Sequence, residues 1–480
     1  MATITVMDPV TRIEGHMKVE VTIDGTPGNL KVVDARCTGT QFRGFETILV
    51  GRHPFDAPIL TERICGVCPV SHGMASSLAL DKAAGVTPPA NARIMRNLVL
   101  GANFVQSHIL HFYLLAAFDF VQGPGSAPWT PAWDVDMRPG VERIVATSLP
   151  KAIEARRRAH EMGSIFGGRI PSPHTFVPGG FTAVPTAARI QAFRDQLNWM
   201  IPFIRNTYLE DVNLLAGVYD DYYSIGKGTG NLMAYGVFDL DNAGTTKLLK
   251  RGLVRRKTLD TVRPLRAESI TESVGYSWYE DATEGLQPIN GATAPVYPKG
   301  DAYSWIKAPR YGKVPMETGP LARMWVNGDY GRGISVMDRH VARAQETLKV
   351  AEAMLGWLDE LTPGASVFNT AVSTQSITTG QGIGLTEAPR GALGHWVKVD
   401  AGKISHYQVI TPTCWNASPR DANGVKGPIE RALVGTPIEK ADQPVEALRV
   451  IHSFDPCLSC AVHVMRPDGK PVVVRAGIKG

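Results

Sequence analysis

Arg63-Ile64-Cys65-Gly66-Val67-Cys68-Pro69-Val70-Ser71-His72 and Asp455-Pro456-Cys457-Leu458-Ser459-Cys460-Ala461-Val462-His463, one stretch near each end of the chain, hold four of the six cysteines in 480 residues. A Cys-x2-Cys turn directs two sulfurs at one point, and two such turns that meet make a four-thiolate metal site. A structural zinc ribbon closes its second pair within a few tens of residues. Here Cys457 follows Cys65 by 392 positions, so the fold must complete itself before the site exists, as expected of a metal in the core of an enzyme. A chain this long needs no disulfide staples, and neither pair lies in the βαβ setting of a thioredoxin-like redox motif. On spacing alone, structural zinc stays open as a second reading. Cys37 and Cys414 stand alone.

Hydrophobic residues make up 44% of the chain and charged residues 20%, against about 25% charged in ordinary soluble domains. This excludes a disordered chain and points to surface buried against a partner. The net charge is +5 with no Lys/Arg run, which argues against nucleic-acid binding. The most apolar region, Ile94 to Phe120, is interrupted by Arg96, Asn97, Asn103, Gln106, His108 and His111; it reads as a buried helix, not a membrane span. Met1 to Val6 lacks the basic start and apolar stretch of a secretory signal, so export would rely on a signal carried by another chain.

Alternation of Met17, Val19, Val21 and Ile23 with Lys18, Glu20 and Thr22 predicts a half-buried strand. A turn at Thr26-Pro27-Gly28-Asn29 and a second apolar run through Val32 and Val33 follow, so residues 1–60 form a β-rich part. Residues 61–220 read as helical, with Ile190, Phe193, Leu197, Met200 and Ile204 on one stripe and Pro202 kinking it. Residues 221–335 are loop-rich with short strands. In 336–463, Val341, Ala344, Leu348, Ala351, Leu355 and Leu358 form a helix stripe with Asp338 as its cap. A hairpin pairs His395–Val399 with Ile404–Ile410 around Asp400-Ala401-Gly402, and the C-terminal metal motif ends the segment. No repeat or linker divides the chain, which predicts one large α+β unit.

The two cysteine motifs resemble the paired signatures of the nickel–iron hydrogenase large subunit. So do Asp8-Pro9-Val10-Thr11-Arg12-Ile13-Glu14-Gly15-His16, Phe42-Arg43-Gly44-Phe45-Glu46, Gly167-Gly168 through Pro173-His174 to Pro178-Gly179-Gly180, Glu387-Ala388-Pro389-Arg390-Gly391 and Thr411-Pro412-Thr413-Cys414-Trp415-Asn416. These blocks span the chain in the family's order. The resemblance, of the uptake type, implies a predominantly helical α+β fold over 1–480: a central helix bundle with small peripheral β-sheets.

The resemblance also implies a nickel and an iron held by four thiolates. Cys65 and Cys457 would be terminal on nickel, with Cys68 and Cys460 bridging to an iron that carries carbon monoxide and cyanide. Soft thiolates suit both metals. The implied reaction is the reversible splitting of H2, with Cys457 as first proton acceptor and Glu14 carrying the proton onward. Arg390 would be a fixed cation over the metals, with Pro389 beside it and Asp455 as its counter-ion. Thr413 would donate to a cyanide, and His72 would stand behind the first motif. Glu46, the Val409 carbonyl and His463 would hold a magnesium or second iron. Val67 and Leu115 would line a gas channel, although both also suit plain core packing. A structural alternative for Glu14 is a salt bridge to Arg12.

Two departures stand out. Ser107 occupies a position where the family often has Asp, so Arg390 should lean more on Asp455. The chain also continues past His463 through Val464–Gly480, 17 residues. The resemblance makes 464–480 a cleavable extension, cut between His463 and Val464, that holds the final motif away from its closed position until cleavage. Cys37 and Cys414 are too few to bind an iron–sulfur cluster, so electrons must leave through a partner. The implied partner is an iron–sulfur small subunit, in a heterodimer or a dimer of heterodimers. Maturation factors and a C-terminal endopeptidase would act before assembly. The implied location is membrane-associated through the partner, on the periplasmic side by co-export, with the cytoplasm as the alternative. An H2 sensor with the same metals and a non-catalytic scaffold subunit are the competing functions.

Overall fold

Met17, Val19, Val21 and Ile23 turn fully inward while Lys18, Glu20 and Thr22 face outward, the period-two burial of a one-sided sheet. In the computed structural model, which describes residues 2–123, 134–374 and 376–458, these residues lie on β2 (Met17–Thr26), between β1 (Thr3–Met7) and β3 (Asn29–Gly39). The short strand Pro437–Ile438 completes the sheet by pairing antiparallel with Leu30 and Lys31. The two ends of the chain therefore share one sheet.

The helical part begins with α1 (Pro69–Ala83) and α2 (Ala90–Leu110), followed by α3 (Leu149–Gly167) and α4 (Ala187–Phe203). α2 runs on to Asp119 as the only span among the described residues long and apolar enough to cross a membrane, but 83% of its apolar window is buried inside the protein. It is a core helix. Past Pro202, α4 passes into a π-helical turn over Ile204–Tyr208. Short strands and 3-10 turns fill the loop-rich part.

The long helix α6 (Val336–Glu360) follows the short α5 (Pro320–Asn327). α2 packs against α3 and α6, and α4 packs against both α3 and α6, which makes the central bundle. The cap of α6 is Ser335, not Asp338. Ser335 Oγ accepts the Asp338 N–H at 3.1 Å and donates to Asp338 Oδ2 at 2.5 Å. The charged residue reads as a cap in sequence because it sits three places inside a reciprocal capping pair.

The expected hairpin is present as β5 (Gly391–Asp400) and β6 (Lys403–Ile410), but a third strand, β4 (Gly380–Ala388), precedes it. Gly380, Gly382 and Gly384 hide β4 in the sequence, because glycine in a strand interior counts against one. Packing supplies the reason for them. A Cβ at these glycines would lie 2.2 Å from Ala83 O, 1.9 Å from Ala79 O and 2.0 Å from Ala75 O. Four helix residues advance about 6 Å and two strand residues about 6.6 Å, so every second residue of β4 meets every fourth of α1. This contact seats α1, whose N-cap is Cys68.

Candidate metal centre

Cys65 follows a 3-10 turn over Glu62–Ile64 and takes an extended conformation, and Cys68 caps α1 with Pro69 at the first helical position. Proline is pre-organised there. The N–H groups of Val67 and Cys68 reach Cys65 Sγ at 3.3 and 3.2 Å.

The second motif arrives after α8. To keep chain order, α7 is Pro412–Asn416 and α8 is Val445–Ser453. Asp455 turns the chain with φ 54°. Cys457 then forms a parallel β-bridge with Glu14, Leu458 N donates to Glu14 O at 2.6 Å, and Cys457 N donates to Thr413 Oγ1 at 2.9 Å. The sulfurs of Cys65, Cys68 and Cys457 come within 4.8 Å of one another, all buried. Cys65 and Cys457 lie 3.3 Å apart, sulfur to sulfur, beyond the roughly 2.05 Å of a disulfide. Three convergent buried thiols fit a soft-ligand transition-metal centre. Cys460, His463 and Val464, with the extension 464–480, lie outside the described residues.

Cys457 is fully buried and seated beside Cys65. Main-chain contacts to Glu14 and the Thr413 hydroxyl fix Cys457 upstream of any cut.

Arg390 lies fully buried beside the sulfurs, its Nε 3.0 Å from Asp455 Oδ1 and its Nη1 3.4 Å from Ser107 Oγ. Burial opposes its charge, but Asp455 and then the sulfurs of Cys457, Cys68 and Cys65 outweigh burial and hold the guanidinium well above its ordinary pKa. Asp455 itself is pushed up by burial, against the opposing pull of Arg390 and Arg343. Glu14 Oε1 accepts the Gly66 N–H at 3.2 Å. Its alternative partner Arg12 instead pairs with Asp119 and donates to Leu115 O at 2.6 Å.

Burial holds His72 neutral, its pKa lowered to about 4. Its Nδ1 lies 3.1 Å from His395 Nε2, and His395 Nδ1 lies 2.8 Å from the Tyr407 hydroxyl. Val67 packs on the apolar cluster of Ile64, Ala75, Ala388 and Leu393 around the cysteines, and Leu115 does not.

Glu46 and Val409 also meet. Glu46 Oε1 accepts the Val409 N–H at 3.4 Å and Oε2 accepts the Thr293 hydroxyl at 3.0 Å. Burial raises the Glu46 pKa, moderated by Lys307 and reinforced by Glu272. Lys307 Nζ donates to Glu272 at 3.3 Å and Gln408 at 3.2 Å. Carboxylates and carbonyls of this kind suit a hard cation. Thr293, Lys307, Glu272 and Gln408 escape sequence reading because they come from the loop-rich part and a strand, with no shared spacing. Cys37 and Cys414 sit apart from the sulfur cluster, their thiols pushed up by burial, Cys414 to about 11.

The chain matches the family model described as nickel-dependent hydrogenase over residues 43–132, 126–333 and 328–463, and one described as HoxL-like over 3–42. It is 41% identical to the periplasmic [NiFeSe] hydrogenase large subunit of Desulfomicrobium baculatum, covering 96% of this chain and 95% of that one. It is 34% identical to the uptake hydrogenase large subunit of Bradyrhizobium diazoefficiens, covering 97% and 96%. The fold superposes on the Ni-Fe-Se hydrogenase of D. vulgaris Hildenborough with a TM-score of 0.91 and 42% identity, over 96% of this chain and 100% of the other. The chain belongs to the nickel-dependent hydrogenase family. It is of the catalytic large-subunit kind, an oxidoreductase acting on H2, with the predominantly helical fold its motifs implied.

Proposed function

We propose that this chain splits H2 reversibly at a nickel–iron centre held by Cys65, Cys68, Cys457 and Cys460, and passes the electrons to an iron–sulfur small subunit. The observation that carries the reading is the convergence of sulfurs from opposite chain ends beneath a buried arginine. When bound, the metal pair, its iron bearing carbon monoxide and cyanide, supplies the redox and Lewis-acid chemistry for heterolysis. The chain's own groups do the rest. Cys457 Sγ takes the first proton. Glu14, fixed by Gly66 N–H beside it, carries that proton away. Arg390 presents a permanent charge in a dry site, where its field is strong. Thr413, whose oxygen accepts from Cys457 N, keeps its own proton to donate into the centre. His72 stays neutral behind Cys65, and Pro389 sets the turn that carries Arg390.

Glu46, the Val409 carbonyl and His463 would hold magnesium or a second iron. Val67 and Leu115 are proposed to line the gas route. The extension 464–480 is proposed to be cut between His463 and Val464 by an endopeptidase after maturation factors load the metals. The assembly is proposed to be a heterodimer, or a dimer of heterodimers, membrane-associated through its partner. Sequence alone disfavours the scaffold alternative, since all four motif cysteines are present.

The experiment is nickel and iron analysis of the anaerobically purified complex, with infrared spectroscopy for carbon monoxide and cyanide and H2-dependent dye reduction. Nickel, the infrared bands and rapid turnover together are the expected result. Zinc alone would end the reading, and metals without turnover would favour the sensor.

A further inference from the structure

Arg390 occupies an awkward turn. Ala388 pairs with Gly391 across β4 and β5, so Pro389 and Arg390 form a two-residue hairpin loop. Loops of that length match strand twist when the first residue has positive φ. Proline fixes φ near −65°, and Arg390 is not among the residues with positive φ. The turn therefore needs support from outside the hairpin.

Arg323 of α5 supplies it. This fully buried guanidinium donates to Ala388 O at 3.0 Å and Pro389 O at 2.7 Å, the two carbonyls just before Arg390. Its other donors go to Glu346 at 2.8 and 2.7 Å and to Glu387 at 2.8 Å. All five N–H groups are used, which a rigid planar fork allows and an ammonium cannot. Both carboxylates are themselves anchored. Glu346 Oε1 lies 2.9 Å from His108 Nε2, and Glu387 Oε1 accepts the Tyr235 N–H at 2.5 Å. The start of α5 presses on the same turn. A Cβ on Gly391 (φ 137°) would lie 2.3 Å from Thr318 Oγ1, and one on Gly319 would lie 3.1 Å from Arg390 O.

We propose that Arg323 is a positioning residue for H2 turnover: by capturing the carbonyls of Ala388 and Pro389 it fixes the turn that aims Arg390 at the cysteine sulfurs. The inference rests on the reading of Arg390 given above. A lysine at 323 keeps the charge for Glu346 and Glu387 but cannot fork across both carbonyls. Small misplacements of an aligned group cost up to about 100-fold in rate.

The test compares Arg323→Lys, Arg390→Lys and the double variant in the anaerobically purified complex, reading nickel content, H2-dependent dye reduction and the infrared spectrum of the metal centre. Arg323→Lys should load nickel normally, lose about 10- to 100-fold in rate and shift the infrared bands. The double variant should match Arg390→Lys in both rate and spectrum. Wild-type behaviour of Arg323→Lys overturns the proposal. So does an equal further loss in the Arg390→Lys background, which marks a merely structural role, and so does failure to take up nickel. If Arg390→Lys itself alters neither rate nor spectrum, the Arg390 reading fails first, visible in its own arm.

Discussion

Glu14 and Cys457 stand opposite each other in a parallel β-bridge, with Leu458 N donating to the Glu14 carbonyl at 2.6 Å. The proposed proton carrier and the proposed first acceptor are thus registered by main chain, independently of the Glu14 side chain. Glu14→Gln should leave Cys457 in place and keep the contact to Gly66 N–H, yet carry no proton. H2 oxidation should fall by about 100-fold or more with nickel content unchanged. Retained turnover, or loss of nickel, would count against the role.

Thr413 is the other clamp on Cys457. Removing its oxygen orphans a buried N–H, which costs about 1–3 kcal/mol. Thr413→Ala should therefore lower the melting temperature and the nickel occupancy, and Thr413→Ser should restore both.

The interlock of β4 with α1 predicts a steric effect. Gly382→Ala would place a methyl 1.9 Å from Ala79 O, and overpacking of this kind costs about 1–3 kcal/mol or more. Nickel uptake should suffer with stability, because α1 begins at Cys68. Gly356 makes the control: in α6 nothing lies within 4 Å of a Cβ there. Gly356→Ala should stabilise by about 0.5–1 kcal/mol. Thermal unfolding of the two variants checks both signs.

Glu430 gives a pH prediction. Burial raises its pKa from 4.5 to about 7, even though Cys37 N–H and the Tyr303 hydroxyl both donate to its Oε1. A carboxyl raised in the folded state binds a proton that the unfolded chain has already released. Stability must therefore fall as pH rises from 4.5 to about 7 and level off above that. Glu430→Gln retains the accepting oxygen and cannot ionise. Its melting temperature should gain on the wild type steadily across that window; a constant difference from pH 5 to pH 8 would refute the assignment.

The half-buried strand β2, the stripe of α6, the β5–β6 hairpin and the turn of Cys65 and Cys68 were legible because each is a local pattern whose period or spacing states its own geometry. β4 was not, because its glycines make sense only against α1. Asp338 misled because capping is shared between two residues. Arg323 carried one faint signal, a cation in the otherwise apolar turn Leu321-Ala322-Arg323-Met324. Its acceptors lie on three other segments.

The amino-acid order by itself determined which thiols are available, in which pairs, and which charged residues precede and follow them. Tertiary structure alone decided that Cys457 rests on the Glu14 main chain and the Thr413 hydroxyl, and that Arg323 braces the turn carrying Arg390. Those choices depend on burial and on main-chain groups, which every residue has alike. Only the packed fold selects which carbonyl or N–H meets which side chain.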